Sequence, residues 1–351
     1  MKKNIAVLPG DGIGPEIIEQ AVLVLKKIAD KFGHEFSFKE GLIGAIAIDK
    51  TGNPFPDKTK ELCVESDAIL FGTIGDPKYD NDPTAKVRPE QGLLAMRKTL
   101  GLYANVRPIF TFKNIINKSP LKPEIIDGVD FIVIRELIGG IYFGKKGRSK
   151  DKNSAFDTNE YSKDEITRVA KYAFNLSGKR NKKLTVVDKA NVLETSRLWR
   201  ETIQEMSKNY PDTTVEYMFV DNAAMQIIKN PKNFDVILTE NMFGDILTDE
   251  ASVITGSIGM LPSASIGENT SLFEPIHGSF PKATGLNIAN PIGTILSAAM
   301  MLEYSFGLKK ESDTIFKSVE KVLEQGYGTK DITNGKILGT KELGKKIIEQ
   351  I

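Results

Sequence analysis

Short apolar runs that alternate with helical periodicity constrain this chain more than any other feature. The runs cover residues 5–8, 68–71, 131–134, 184–187, 215–220 and 234–238. Each has the length and apolar content of a buried strand. Helical spacing fills the gaps: after the first run, Ile18, Ala21, Val22, Leu25, Ile28, Ala29 and Phe32 share one face. Such alternation implies an α/β fold. At 351 residues the chain exceeds the length at which single cores usually stop growing, so two domains are expected.

Residues 10–16, between the first run and the first helix, read GDGIGPE. The dinucleotide fingerprint G-x-G-x-x-G needs a glycine where this chain has Pro15, which lacks both the N–H and the small profile. Glu40, ending the strand-like stretch HEFSFKE, stands where a ribose-binding acid would, but the motif ahead of it has already failed. Pro15 suits the first turn of a helix, where its φ is pre-set and its missing donor costs nothing. The stretch therefore predicts strand, tight turn and helix, with a loop that either lines a site or serves the turn alone. Residues 143–154 (FGKKGRSKDKNS) predict a solvated hairpin tip. Residues 291–308, apolar nearly all round, predict a helix buried in a core or an interface. From Lys309 onward, amphipathic patterns with glycine stops at Gly326, Gly335 and Gly344 predict surface helices without chemistry.

Lys plus Arg number 47 and Asp plus Glu 46, so the basic excess that a nucleic-acid partner requires is missing and a small-molecule enzyme fits better. Cys63 is the single cysteine and can form no internal disulfide, which makes the cytoplasm the expected compartment. The first apolar run stops at Gly10 and Asp11, short of a signal peptide, and residues 292–302 are too few to cross a bilayer, so no membrane association is expected. With only His34 and His277, carboxylates must carry any metal, which points to Mg²⁺ or Mn²⁺.

Acids gather in residues 234–251, FDVILTENMFGDILTDEA, where Asp245 and Asp249 stand four residues apart. At that spacing two side chains share a helix face with Cβ atoms roughly 5–6 Å apart, and two anions there repel. A water-facing helix side is one account of the pair. The other is a bound cation, since Phe243, Ile246 and Leu247 crowd the same turns and require one flank to be buried. Asp221 closes the run VEYMFV and Lys189 follows LTVV, placing both at carboxyl ends of strands, where ligands collect in open α/β sheets. Arg97 and Arg107 lie in RKTLGLYANVRP, and Arg135 ends DFIVI shortly before Tyr142. Three guanidinium forks beside a metal suit a dianionic substrate, although any one alone reads as a surface arginine.

Taken together, these segments resemble the isocitrate/isopropylmalate dehydrogenase family of metal-dependent β-decarboxylating dehydrogenases. The match runs through NIAVLPGDGIGPE, RPEQGLLAMRK, YANVRP, RELIGGIYFG, VDKANVLE, NMFGDILTDEAS, LPSAS, FEPIHGS and NIANP, essentially the whole chain. The resemblance implies a two-domain α/β fold that is not a Rossmann fold. Residues 1–102 plus 256–351 would form a discontinuous cofactor-binding domain, and residues 103–255 an inserted dimerisation and metal/substrate domain, with a cleft at the junction. It also implies a homodimer with shared active sites, braced by an arm at residues 136–160.

The implied reaction is oxidative decarboxylation of (2R,3S)-3-isopropylmalate to 4-methyl-2-oxopentanoate and CO₂ with reduction of NAD, a step of leucine biosynthesis. By resemblance, Arg97, Arg107 and Arg135 hold the substrate carboxylates, and Asp221 of one subunit joins Asp245 and Asp249 of the other around Mg²⁺ or Mn²⁺. Lys189 is the implied base, and Tyr142 helps protonate the enol carbon. Leu93, Leu94 and the neighbouring subunit's Val192 would receive the isopropyl group. Glu90 and Asn191 would lie by the nicotinamide riboside. Ile13, Lys78, Glu274 and the loop carrying His277, Gly278, Ser279, Phe280, Pro281, Lys282, Ala283 and Asn290 complete the implied cofactor site. NAD-using relatives generally place an aspartate at the position of Lys282. Its loss removes a repulsion and admits NADP beside NAD, which stays the first expectation. Sister activities on D-malate, tartrate or homoisocitrate would share the metal site and differ around Leu93 and Leu94. A non-catalytic regulatory subunit would lack metal or base residues that are all present here.

Overall fold

The computed structural model describes residues 1–82 and 84–351. The apolar runs fold as strands that extend into flanking polar residues. In chain order they are β1 (Lys2–Gly10), β2 (Glu35–Glu40), β3 (Ala68–Thr73), β4 (Ala104–Phe110), β5 (Asp130–Glu136), β6 (Lys146–Arg148), β7 (Ala155–Asp157), β8 (Lys183–Asp188), β9 (Thr214–Phe219), β10 (Val236–Thr239), β11 (Pro262–Ile266) and β12 (Leu272–Pro275). Two compact units emerge: Met1–Leu102 with Phe112–Pro120 and Thr255–Ile351, and Tyr103–Thr111 with Leu121–Ile254. Residues 112–120, expected in the inserted unit, instead belong to the first. Ile115 is buried and Lys118 donates to Asn334, which ties this short segment to the first unit.

In the first unit the strands run β2-β1-β3-β12-β11, parallel except for β11 against β12. Helix Gly14–Phe32 starts where Pro15 predicts, and helix Ile292–Tyr304 is buried from Ile292 through Leu302, as its all-round apolar sequence requires. Gly326, at φ +79°, follows helix Lys309–Glu324 as a stop. Gly344 does not stop a helix: it lies inside Thr340–Gln350, where a Cβ would come within 2.4 Å of Gln20 Oε1. Close helix approach explains that glycine.

In the second unit the order is β4-β5-β10-β8-β9, parallel except for β4 against β5. Its core centres on Phe131, Val133, Leu184, Val186, Ile237 and Trp199, all fully buried. Register sets the site: Arg135 pairs with Asn105 on one side and Thr239 on the other, Thr239 pairs with Val187, and Asp188 pairs with Phe219. The chain therefore leaves β5, β10, β8 and β9 at one level, and Leu137, Glu240, Lys189 and Val220 begin the next segments together. Asp221 does not close β9. It lies in the first turn of helix Val220–Lys229, where the helix dipole favours a carboxylate. Residues 143–154 contribute most of the antiparallel β6–β7 hairpin, as the charge pattern predicts.

Candidate active site

Asp245 is the hub of the second unit's polar cluster. Strand β10 feeds helix Asn241–Ser252, whose successive turns place Asp245 and Asp249 on one face. Arg135, only 2% exposed, reaches Asp245 through Nη1, and Tyr142 Oη donates to the other carboxylate oxygen at 2.7 Å. The Arg135 guanidinium lies 5.5 Å from the Tyr142 ring centroid. Gly244 permits this arrangement, because a Cβ there would stand 2.6 Å from Arg135 Cγ. Arg107 enters from β4: its Nε donates to Asn105 at 2.7 Å, its Nη1 to Thr248 Oγ1 at 2.6 Å, and it approaches Asp249 at 3.5 Å. Burial, followed by the hydrogen bond to Asp245, pushes the Tyr142 phenol up to about 12, so it remains a donor at neutral pH.

The acid pair suits a hard cation. Burial raises the Asp249 carboxyl, Arg107 opposes that rise, and the charge of Asp245 adds to it. Two exposed-edge carboxylate groups on one helix face, one of them disfavoured as an anion, are an oxygen donor set for Mg²⁺ or Mn²⁺. Among the described residues, no three acidic, histidine or cysteine side chains of one chain gather to hold an ion. Asp221 instead pairs with Lys189, Oδ1 to Nζ at 2.8 Å, and that hydrogen bond lowers the Asp221 carboxyl. The backbone around Lys189 is fixed by Asp188, which is itself held by two Arg200 hydrogen bonds of 2.9 Å, and by Ser196, which binds Glu240. Val192 and Asn191 follow on the same turn, and Val192 is 61% exposed.

In the first unit, helix Pro89–Thr99 presents Glu90, Leu93, Leu94 and Arg97 at spacings of three and four. The two leucines are half-buried, so an apolar patch stands between an acid and an arginine. Arg97 pairs with Glu274 at 3.1 Å, both nearly buried. Glu274, expected beside the cofactor, thus sits in β12 as the anchor of Arg97.

A cavity of about 1110 Å³ in this unit is lined by Ile13, His277, Gly278, Phe280 and Asn290 of the expected cofactor residues. The rest of its wall comes from Ser257 to Gly259, Asn287 to Ala289, Lys330, Asp331, Ile337 to Gly339 and Glu342. Sequence reasoning missed that wall and assigned the tail no chemistry, because its residues are individually ordinary and only the chain path brings them here. His277 Nε2 is buried without a hydrogen-bond partner among the described residues. A large, mostly apolar cavity with such an unmet donor or acceptor fits the adenosine half of a dinucleotide. The opening glycines matter at this point: Gly12, at φ +59°, leaves room for Ser279, whose carbonyl a Cβ would approach to 2.0 Å and which accepts from Ile13 N at 2.9 Å.

Other expected cofactor residues lie outside the cavity. Ala283 is fully buried in a cluster with Ile13, Ile17 and Ala289, so its side chain serves the core. Ser279, Pro281 and Lys282 belong to the adjoining turn, with Lys282 exposed. Lys78 occupies the surface helix Pro77–Asp80 and pairs with Asp49 at 2.5 Å. Glu90 and Ser279 both approach Gly75, where a Cβ would lie 3.2 Å from Glu90 Oε1 and 3.5 Å from Ser279 Oγ.

Residues 4–347 match the family described as isocitrate/isopropylmalate dehydrogenase. A 3-isopropylmalate dehydrogenase of Bacteroides fragilis is 58% identical over 353 residues, spanning 100% of this chain and 99% of the relative. The enzyme of the same name from Aquifex aeolicus is 56% identical over 100% of this chain and 98% of its own. Among solved structures, isocitrate dehydrogenase from Methylococcus capsulatus superposes with a TM-score of 0.89 at 32% identity, covering 99% of each chain. The apo form of a β-decarboxylating dehydrogenase from Thermococcus kodakarensis gives 0.81 at 34% identity, over 99% of this chain and 96% of that one.

Proposed function

Because the chain belongs to the isocitrate/isopropylmalate dehydrogenase family, we propose that it oxidises and decarboxylates 3-isopropylmalate in leucine biosynthesis. It is an oxidoreductase, and NAD is the hydride acceptor. The observation that carries this reading is the convergence of Arg107, Arg135 and Tyr142 on Asp245, beside Asp249. Arg97, Arg107 and Arg135 hold the two substrate carboxylates, the work for which guanidinium forks are suited. Leu93 and Leu94, completed by the partner subunit's Val192, receive the isopropyl group. A third carboxylate, as in isocitrate, would be desolvated there without a partner.

Mg²⁺ or Mn²⁺, when bound by Asp245, Asp249 and the partner subunit's Asp221, supplies Lewis acidity toward the substrate's hydroxyl and the charge left on that oxygen as CO₂ departs. NAD, when bound, would supply the hydride acceptor, and Lys189 Nζ in its neutral form takes the hydroxyl proton. Tyr142 Oη, kept protonated by its high pKa, then delivers a proton to the enol carbon. That Asp221 pairs with Lys189 and that no third acid joins Asp245 and Asp249 among the described residues of one chain supports a homodimer with shared centres as the functional form. Its compartment is the cytoplasm.

The cavity at His277 holds the adenosine, and Lys282 on the adjoining turn carries no negative charge against a 2′-phosphate. NADP therefore remains a usable second acceptor. Initial rates with 3-isopropylmalate, isocitrate, D-malate, tartrate and homoisocitrate, each with NAD and NADP, test the assignment. The expected result is a kcat/KM for 3-isopropylmalate above that for isocitrate by about 100-fold or more, with NAD preferred. Comparable values for the two acids, or a preference for another member of the panel, would overturn it.

A further inference from the structure

Asn241 opens the helix that carries both acids, and it is completely buried. Its amide oxygen accepts from Arg135 Nε at 3.0 Å and from Arg135 Nη2 at 2.7 Å. Its amide nitrogen donates to the Gly139 carbonyl at 3.0 Å, and its backbone N–H donates to Tyr161 Oη at 2.9 Å. The orientation of the amide is dictated chemically, since a guanidinium offers only donors and a carbonyl only accepts. Gly139 begins the single 3₁₀ turn Gly140–Tyr142, which delivers the Tyr142 ring over Arg135. Gly140, at φ +70°, leaves no room for a side chain beside the Tyr161 hydroxyl, so the turn is pinned on that side too.

We propose that Asn241 is a positioning residue that sets two functional side chains independently: its oxygen fixes the Arg135 fork, and its nitrogen fixes the turn that aims Tyr142. The proposal rests on the roles given above to Arg135 and Tyr142. A fork held at two nitrogens presents its remaining edge in one plane, which is what bidentate carboxylate capture requires. A phenol displaced by about 1 Å loses its proton-transfer geometry while substrate still binds. The two atoms of one amide thus control different kinetic parameters.

The test compares Asn241→Asp with Asn241→Ala in the full-length enzyme, beside Arg135→Lys and Tyr142→Phe. The aspartate keeps the acceptor for Arg135 but turns an oxygen toward the Gly139 carbonyl. Asn241→Asp should hold KM for 3-isopropylmalate within about twofold while kcat falls about tenfold or more, whereas Asn241→Ala should raise KM about tenfold as well. Tyr142→Phe combined with Asn241→Asp should cost little beyond either alone, because both act on one proton transfer. Wild-type kinetics in Asn241→Asp, an unchanged KM in Asn241→Ala, additive losses in the double variant, or loss of the folded state in both Asn241 variants would each overturn the proposal. If Arg135→Lys and Tyr142→Phe themselves retain wild-type parameters, the active-site reading fails first and the proposal falls with it. If they are impaired while both Asn241 variants are not, positioning alone fails.

Discussion

Lys189 joins Asp221 across the ends of two adjacent strands, and its side chain is largely covered, at 27% exposure. Methionine would retain the aliphatic stem and remove only the amine. Lys189→Met should therefore fold and associate normally while turnover falls by about 100-fold or more in a steady-state assay. Near-normal turnover would contradict its role as the base. Glu136 is a different kind of buried charge. Its carboxylate accepts from Ile138 N at 3.0 Å and Gly139 N at 2.8 Å, yet burial outweighs those bonds and pushes it up to about 7. The folded chain thus keeps a proton that the unfolded chain releases near pH 4.3. Stability from this group is complete below about pH 4 and is lost as pH rises through about 7. Denaturant titrations at several pH values should show the wild type falling relative to Glu136→Gln across that window, by on the order of 2–4 kcal/mol. Parallel curves would contradict the shift. Asp245 and Asp249 were legible because a spacing of four is a geometric statement in itself. Asn105, Thr248 and Asn241 were not, since short neutral polar side chains carry no periodicity, and only the folded register brings them to the arginines.

At the scale of elements, the first βα loop and the His277 loop are one assembly. Ile13 N binds Ser279 O, and Glu16 of helix Gly14–Phe32 accepts from the backbone N–H groups of Gly285 and Asn287. Asn287, at φ +56°, in turn accepts from Thr340 N and Lys341 N at the start of the last helix. Gly12→Ala would set a Cβ against the Ser279 carbonyl in a left-handed backbone and should destabilise the chain by about 1–3 kcal/mol. A rise in KM for NAD with little change in KM for 3-isopropylmalate is the accompanying expectation, measured by steady-state kinetics. Equal effects on both would show the loop to be a general scaffold. Elements with strong apolar runs, such as β3 and β5, were readable from the sequence. Strands β4, β11 and β12 were not: Arg107 and Pro108 interrupt one, small hydroxyl residues fill the next, and Glu274 and Pro275 end the third. The β9 boundary slipped because Val220 continues the apolar run although the helix has already begun.

At the scale of the whole molecule, the α/β character and the discontinuous first unit followed from alternation and resemblance, while the placement of residues 112–120 depended on the burial of Ile115, which no pattern announces. Helix Val220–Lys229 exposes Met225 at 56%, and helix Asn241–Ser252 exposes Ile246 at 60%. Such apolar side chains suit a partner surface. In the proposed dimer, each working centre takes Asp245 and Asp249 from one copy and Lys189 and Asp221 from another. The most direct measurement mixes two inactive variants, Lys189→Met and Asp245→Asn, lets subunits exchange, and follows NAD reduction with 3-isopropylmalate. If centres are shared, each mixed dimer holds one intact and one doubly altered centre, and an equal mixture should recover about a quarter of wild-type activity. No recovery after verified exchange would mean that every centre lies within one chain.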